Sequence, residues 1–229
     1  MSSEKVVVSI GGSILIPGDN DSLYIGQLAR LIEELAEKVQ LVIVCGGGKI
    51  ARYYASTGRD LGGSTFQLDE LGIGATRLNA TLLAISLGKI SSTDIPLTAE
   101  AAASVSKPGR VVVMGGTEPG HTTDAVAAMV ARALGAGRIV NATSVDAVYS
   151  EDPKKNPAAK RFSRLTIKEL GDLVYKEHGA SRSGVFDPLG VVIAKESHID
   201  IAIVDGRDIT ELRNAILGNE IQGTLVSSK

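Results

Sequence analysis

The sequence has one cysteine, no tryptophan and only 3% aromatic residues among its 229. A lone Cys45 cannot close an internal disulfide, which removes the staple of small secreted folds and fits a reducing cytoplasm. Three Phe and five Tyr are too few to lay out stacking platforms for single-stranded bases. A basic surplus is also missing: 24 Lys and Arg stand against 26 Asp and Glu, a net charge of -2, so no general nucleic-acid partner is expected. The apolar run before Gly11 is too short for a signal h-region and far short of a bilayer span, so a soluble, unexported chain with no membrane partner is expected. What remains is ordinary globular usage, 44% hydrophobic and 22% charged, which excludes intrinsic disorder. No composition break marks a linker, and a single domain over residues 1–229 is expected.

Short apolar runs alternate with segments of helical period, the pattern of a mainly parallel sheet flanked by helices. Val6 to Ile10 stops at Gly11-Gly12, and Asp21 or Ser22 then caps a helical stretch with Leu28, Leu31, Ile32, Leu35 and Val39 on one side. Leu41 to Cys45 is apolar without alternation, as for a strand covered on both faces, and leads through Gly46-Gly47-Gly48 into a helical Lys49 to Ser56. A third copy runs from Val111–Met114 through Gly115–Gly120 into a helix over Thr122–Leu134. Further strands are expected at Ile139–Ala142, Ile199–Val204 and Thr224–Val226. Further helices are expected near Thr166–Lys176, Asp187–Glu196 and Ile209–Leu217. A long helix over Phe66–Leu87 offers Leu68, Leu71, Leu78, Leu82, Leu83 and Ile85 for burial, either against the sheet or against a second subunit. Ser150 to Pro157, polar and broken by two prolines, reads as an exposed loop or lid.

Glycine after a parallel strand lets the backbone approach a phosphate, and the helix that follows presents free N–H donors with about half a positive charge. Three such turns point to several phosphates gathered at the carboxyl edge of one sheet. A Walker A loop is excluded, because Gly48-Lys49 is followed by Ile50 and the leading glycine position holds Ile43. Gly46 to Ala51 does match the dinucleotide pattern, and Asp69 lies 21 residues after Gly48, but no apolar strand carries that carboxylate. No histidine pair has metal-ligand spacing, and no Ser/His/Asp or Cys/His order suggests a nucleophile, so no residue is assigned as a protein metal ligand. Cys45 reads as a small core residue, and His178 and His198 as surface residues.

Gly11-Gly12-Ser13, the GGGKIAR run at 46–52, GGTEPGHTTD at 115–124 and TSVDAVYSEDP at 143–153 fall in the order found in the amino acid kinase superfamily, which the chain resembles over nearly its whole length. Within it the GGTEPGHTTDA run and the DPKKNP loop resemble the archaeal-type uridylate kinase branch. That resemblance implies a three-layer αβα sandwich, ATP with Mg²⁺ as phosphoryl donor, UMP as acceptor and a homohexamer built from dimers. Carried over by position, it sets Gly11, Gly12 and Ser13 at the ATP phosphates, Gly47 at the UMP phosphate, and Gly48 with Arg52 near the transferred group. The resemblance likewise implies that Asp69 holds UMP and that Glu118, Pro119, Gly120, His121, Thr122, Thr123 and Asp124 wrap it. It implies too that Thr143, Tyr149 and Asp152 surround the adenine nucleotide and that Asp146 organises the catalytic cations, themselves held mainly through the nucleotide phosphates.

The residues themselves agree with phosphoryl transfer, which needs alignment and charge neutralisation more than covalent chemistry. Arg52 lies one helical turn past Gly48, where its guanidinium can fork onto a phosphate. Two departures stand out. Ser9 occupies a position where many superfamily members carry lysine, and no lysine follows Asp187-Pro188-Leu189. Lys49 is therefore expected to supply missing charge. Ser144 and Ala147 also replace the usual Asn and Gly. Alternatives are a kinase for another small phosphate or carboxylate, such as isopentenyl phosphate, a non-catalytic nucleotide-binding or storage protein, and, least supported, a dinucleotide-dependent oxidoreductase.

Overall fold

The computed structural model describes residues 3–19, 21–178 and 185–228, with no side chains for 176–178. Strand β1 (Glu4–Ile10) passes through Gly11 into a single helical turn, α1 (Gly12–Leu15), and then α2 (Asp21–Ala36). Strand β2 (Val39–Cys45) follows, then α3 (Gly48–Asp60) and the long α4 (Thr65–Leu87). A short α5 (Ala99–Val105) leads to β3 (Val111–Met114), α6 (Thr123–Leu134) and β4 (Arg138–Thr143). A two-stranded hairpin, β5 (Val148–Tyr149) with β6 (Arg161–Phe162), carries the polar loop. The chain closes with β7 (Arg164–Thr166), α7 (Ile167–His178), α8 (Pro188–Glu196), β8 (Asp200–Asp205), α9 (Ile209–Leu217) and β9 (Thr224–Ser227).

Among the described residues seven strands form one sheet in the order β3-β2-β1-β4-β8-β9-β7. β1 lies parallel to both β2 (Val6 opposite Leu41) and β4 (Val6 opposite Arg138), and within this sheet the β8–β9 pairing alone is antiparallel. Because successive side chains of a strand point to opposite faces, Val6, Val8 and Ile10 of β1 join α2, α4 and α9 in one apolar layer. Val7 joins α5, α6, α7 and α8 in the other. Both faces being covered explains why β2, buried at every residue, reads as an unbroken apolar run. The chain steps from β1 to β2 to β3 in one direction, then returns across β1 to place β4 on its other side. That reversal opens a crevice at the carboxyl edge, where the three glycine turns stand side by side.

Helix starts follow local chemistry. α4 opens with a reciprocal capping box, in which Ser64 Oγ accepts from Gln67 N–H and Gln67 accepts from Ser64 N–H, worth about 1 kcal/mol. Asp187 caps α8 with Pro188 in its first turn, Asp208 caps α9, and Thr122 caps α6. Asp21 is the first residue of α2, and its carboxylate reaches back to the N–H groups of Gly18 and Asp19.

Several sequence expectations are corrected. On α4 only Leu83 of the six proposed apolar residues is buried, whereas Leu71, Leu78, Leu82 and Ile85 are exposed in the single chain. The buried stripe is made of smaller residues, Ala75, Thr76, Asn79, Ala80, Leu83, Ala84 and Leu87, because α4 lies close against the sheet and the glycine turns. Val39 belongs to β2, and α1, α5, β5, β6 and β7 had no signal of their own. His198 is exposed, with a positive φ of 53° just past α8, while the side chain of His178 lies outside the described residues. Cys45 is fully buried, and burial pushes its thiol up to about 12, so it is an inert core residue.

Candidate active site

The first two glycine turns are packed back to back. A Cβ on Gly12 would collide with Gly48 N and Gly46 O, and Gly48 adopts a φ of +60° that only glycine takes readily. Gly46 N–H donates to Ile10 O at 2.8 Å and Gly11 N–H to Ala142 O at 2.9 Å, which ties both turns to the central strands. α3 then begins at Gly48 with no side-chain cap and no acidic residue in its first turn, so its leading N–H groups are left for an incoming anion. Arg52, one turn along α3, reaches back to donate to Ser13 Oγ at 3.1 Å. The Gly12-Ser13 turn, the Gly47-Gly48 turn and Arg52 thus meet at one point.

Beside that point lies a cavity of about 730 Å³, walled by α3 (Ala51, Arg52, Ala55), α4 (Leu68, Asp69, Gly72, Ile73, Thr76) and the segment following β3 (Gly116, Glu118, Gly120, His121, Thr122, Thr123). Asp187 closes it. α4 holds this wall together: Asp69 accepts from Gly120 N–H at 3.0 Å, Thr76 Oγ1 accepts from Gly116 N–H at 2.7 Å, and Arg77 donates to Gly116 O and Thr117 O. Asn79, buried in the same helix, donates to Gly46 O at 2.7 Å. Leaving such a buried carbonyl without its donor costs about 1–3 kcal/mol. His121 Nδ1 lies 3.3 Å from Glu118 Oε1, an ion-pair distance whose angle does not make a hydrogen bond among the described residues.

At the first turn of α6, Asp124 accepts from Ser9 Oγ at 2.8 Å. Asp187 accepts from Thr122 Oγ1 at 2.8 Å while its other oxygen caps α8. Burial pushes Asp124 up to about 6; the Ser9 hydroxyl opposes this shift and the Asp187 carboxylate adds to it.

A second group stands across the crevice, beyond β4. Thr143 ends β4, and its carbonyl accepts from Gly206 N–H at 2.8 Å. Exposed Asp146 accepts from Tyr149 OH at 3.1 Å and from Arg161 Nε at 3.2 Å, so it fastens the base of the β5–β6 hairpin. Asp152 turns the polar loop by accepting from Lys154 N–H at 3.0 Å. Arg207, clamped to Asp205 by two nitrogens, also donates to Ser144 O.

Of the residues singled out from sequence, Arg52, Asp69, Glu118, Gly120, His121, Thr122 and Thr123 line the one cavity. Gly11, Gly12, Ser13, Gly47 and Gly48 form the rim beside it, Pro119 lies in the wall segment, and Asp124 sits behind that segment on Ser9. Thr143, Asp146, Tyr149 and Asp152 belong to the second group. Lys49 stands apart, exposed, with its ammonium on Pro17 O at 2.5 Å. Thr76, Arg77, Asn79 and Asp187 were missed. The available signal for the first three was polar residues at helical spacing within an otherwise apolar helix.

Glycine turns, free helix N-termini, one arginine and a polar-walled cavity at a sheet edge define an α/β protein that holds phosphate-bearing ligands. Residues 4–205 match the model of the amino acid kinase family, and the chain belongs to that family. It is 42% identical to the uridylate kinase of Methanococcoides burtonii over 218 residues, 95% of this chain and 93% of that one. It is 40% identical to that of Methanocaldococcus jannaschii over 225 residues, 97% and 99% of the two chains. The crystal structure of uridylate kinase from Archaeoglobus fulgidus superposes with a TM-score of 0.87 at 41% identity, covering 97% of this chain and all of that one.

Proposed function

We propose that this chain is a kinase that transfers the terminal phosphoryl group of ATP to UMP, giving UDP and ADP. The observation that carries the reading is the cavity between α3, α4 and the Gly116–Thr123 segment, which opens onto Arg52 and the free N-terminus of α3 in a chain about 40% identical to uridylate kinases. UMP lies in that cavity, with its phosphate at Gly47, Asp69 on the nucleoside and residues 118–124 around it. ATP lies across the crevice, with its phosphates at Gly11, Gly12, Ser13 and Gly48 and its adenosine near Thr143, Tyr149 and Asp152. An oxygen of the UMP phosphate attacks the γ-phosphorus, the bond to the β,γ-bridging oxygen breaks, and ADP leaves with that electron pair. Arg52 neutralises charge on the moving group, and Lys49 adds to it after leaving Pro17 O.

Among the described residues no three or more His, Cys, Asp or Glu side chains stand together as a metal cage. The exposed carboxylate of Asp146 suits Mg²⁺ as one oxygen donor beside the nucleotide's own phosphates. Mg²⁺, when bound, neutralises the phosphate oxygens. The setting is pyrimidine nucleotide biosynthesis in the cytoplasm, carried out by a single domain with no nucleic-acid or membrane partner. Tyr53, Tyr54, Leu61, Phe66, Leu78 and Ile85 of α3, α4 and their connection, each half or more exposed, form the apolar surface through which copies join into a homohexamer.

The test is ADP release from ATP with UMP, CMP, isopentenyl phosphate or N-acetylglutamate offered singly. Turnover with UMP supports the reading. Turnover only with one of the others moves the chain elsewhere in the family, and binding without turnover makes it a nucleotide-binding protein.

A further inference from the structure

We propose that Asn79 is a positioning residue for phosphoryl transfer, aiming the N–H groups of Gly47 and Gly48 at the phosphates by holding the carbonyls on the reverse side of the same peptide planes. Its amide nitrogen lies 2.7 Å from Gly46 O and 3.4 Å from Gly47 O, and the residue is 5% exposed. In a trans peptide the C=O of one residue and the N–H of the next point in opposite directions, and this chain has no cis bond among the described residues. A donor that fixes Gly46 O toward α4 therefore turns Gly47 N–H away from α4. The longer contact to Gly47 O does the same for Gly48 N–H. These are the groups that the start of α3 leaves without an intrahelical partner.

Three consecutive glycines cannot hold such an orientation unaided, because each has wide φ/ψ freedom. Gly46 N–H on Ile10 O and the contact with Gly12 secure the strand side of the turn, and Asn79 secures the side that begins the helix. An amide suits the task because both partners are carbonyls and its NH₂ carries two protons; the isosteric carboxylate carries none. Thr76, about one helical turn earlier on the same face of α4, receives Gly116 N–H, so a single stretch of α4 also spaces this turn from the cavity's other wall.

This inference rests on the proposed placement of UMP and ATP phosphates at Gly47 and Gly48, and its test has a readout that does not need turnover. Protein labelled with ¹⁵N-glycine is titrated with UMP, and separately with inorganic phosphate, for the wild type, Asn79→Asp and Asn79→Ala, alongside steady-state kinetics and thermal unfolding. In the wild type the Gly47 and Gly48 amide signals shift on titration. In the folded variants those shifts are lost, the KM for UMP rises about tenfold or more, kcat falls by a similar factor and the KM for ATP changes less. Unchanged shifts and an unchanged UMP KM in the folded fraction of a variant, with only Tm lowered, would overturn the proposal by leaving Asn79 a packing residue. If both variants fail to fold, Asn79→Ser, which keeps one shorter donor, is read instead: a raised UMP KM with weakened shifts supports the role, and wild-type values overturn it. A wild type that shifts on phosphate but does not turn over UMP separates failure of the substrate reading from failure of this one.

Discussion

The two sides of the crevice are built differently. The cavity side is fastened by partly or fully buried groups on α4, with Thr76, Arg77 and Asn79 each gripping backbone of a glycine turn. The side beyond β4 is fastened by exposed charges, chiefly Asp146 with Arg161 and Arg207 with Asp205. Exposed ion pairs are worth little, with a median of about 0–1 kcal/mol, whereas a buried carbonyl stripped of its donor costs more. In the proposed assignment the UMP side is thus held by buried contacts, and it faces an ATP side whose hairpin and loop are held by weaker, exposed ones.

Substitutions test this contrast, and the largest effect belongs to the rim of the preformed side. Arg52→Ala is expected to lower kcat/KM for UMP by about 10³, the scale of losing a cation that stabilises a phosphoryl transition state, measured by coupled ADP release. Lys49→Met is expected to lower kcat by on the order of 10². An unchanged kcat would leave Lys49 on Pro17 O throughout turnover and Arg52 as the main side-chain cation. Across the crevice, Asp146→Asn weakens the hairpin's fastening and, with it, the proposed cation site. It is expected to raise the KM for ATP by about tenfold while UMP affinity, read by calorimetry without ATP, stays within about twofold.

The smallest effect concerns stability. Asp124, at about 6, binds its proton more tightly in the folded chain than in the unfolded one, where it sits near 3.8. Folding is therefore favoured as pH falls through 6 toward 4, and that contribution is lost as pH rises above 6. Asp124→Asn carries no charge to lose, so its Tm relative to wild type is expected to be higher by a few degrees at pH 8 than at pH 4.5. A constant difference across that range would mean that the carboxylate is well solvated.

The sheet was legible because β1, β2 and β3 are apolar runs ended by glycine and β4 is one preceded by Gly137, and the rim followed from the physics of helix N-termini. The roles of Asp69, Asp146 and residues 118–124 toward UMP and the cations came from resemblance. Periodicity left the α4 leucines open between sheet and second subunit; in the single chain Leu78 and Ile85 face away from the sheet, and the side against it is made of smaller residues, two of them polar. Close approach selects small residues there, and that requirement appears only once the Gly46 and Gly115–Gly116 backbones are in place. Asn79 and Thr76 were invisible for the same reason, since their partners are main-chain atoms more than 30 positions away. The short β5 and β6 strands carry too few residues for any period to show.

A crystal structure with UMP bound tests the account most directly. The uridine should occupy the cavity between α4 and residues 118–123, with its phosphate on Gly47 N–H and within reach of the Arg52 guanidinium. UMP lodged beyond β4, against Thr143 and Tyr149, with the Arg52 cavity empty, would contradict it.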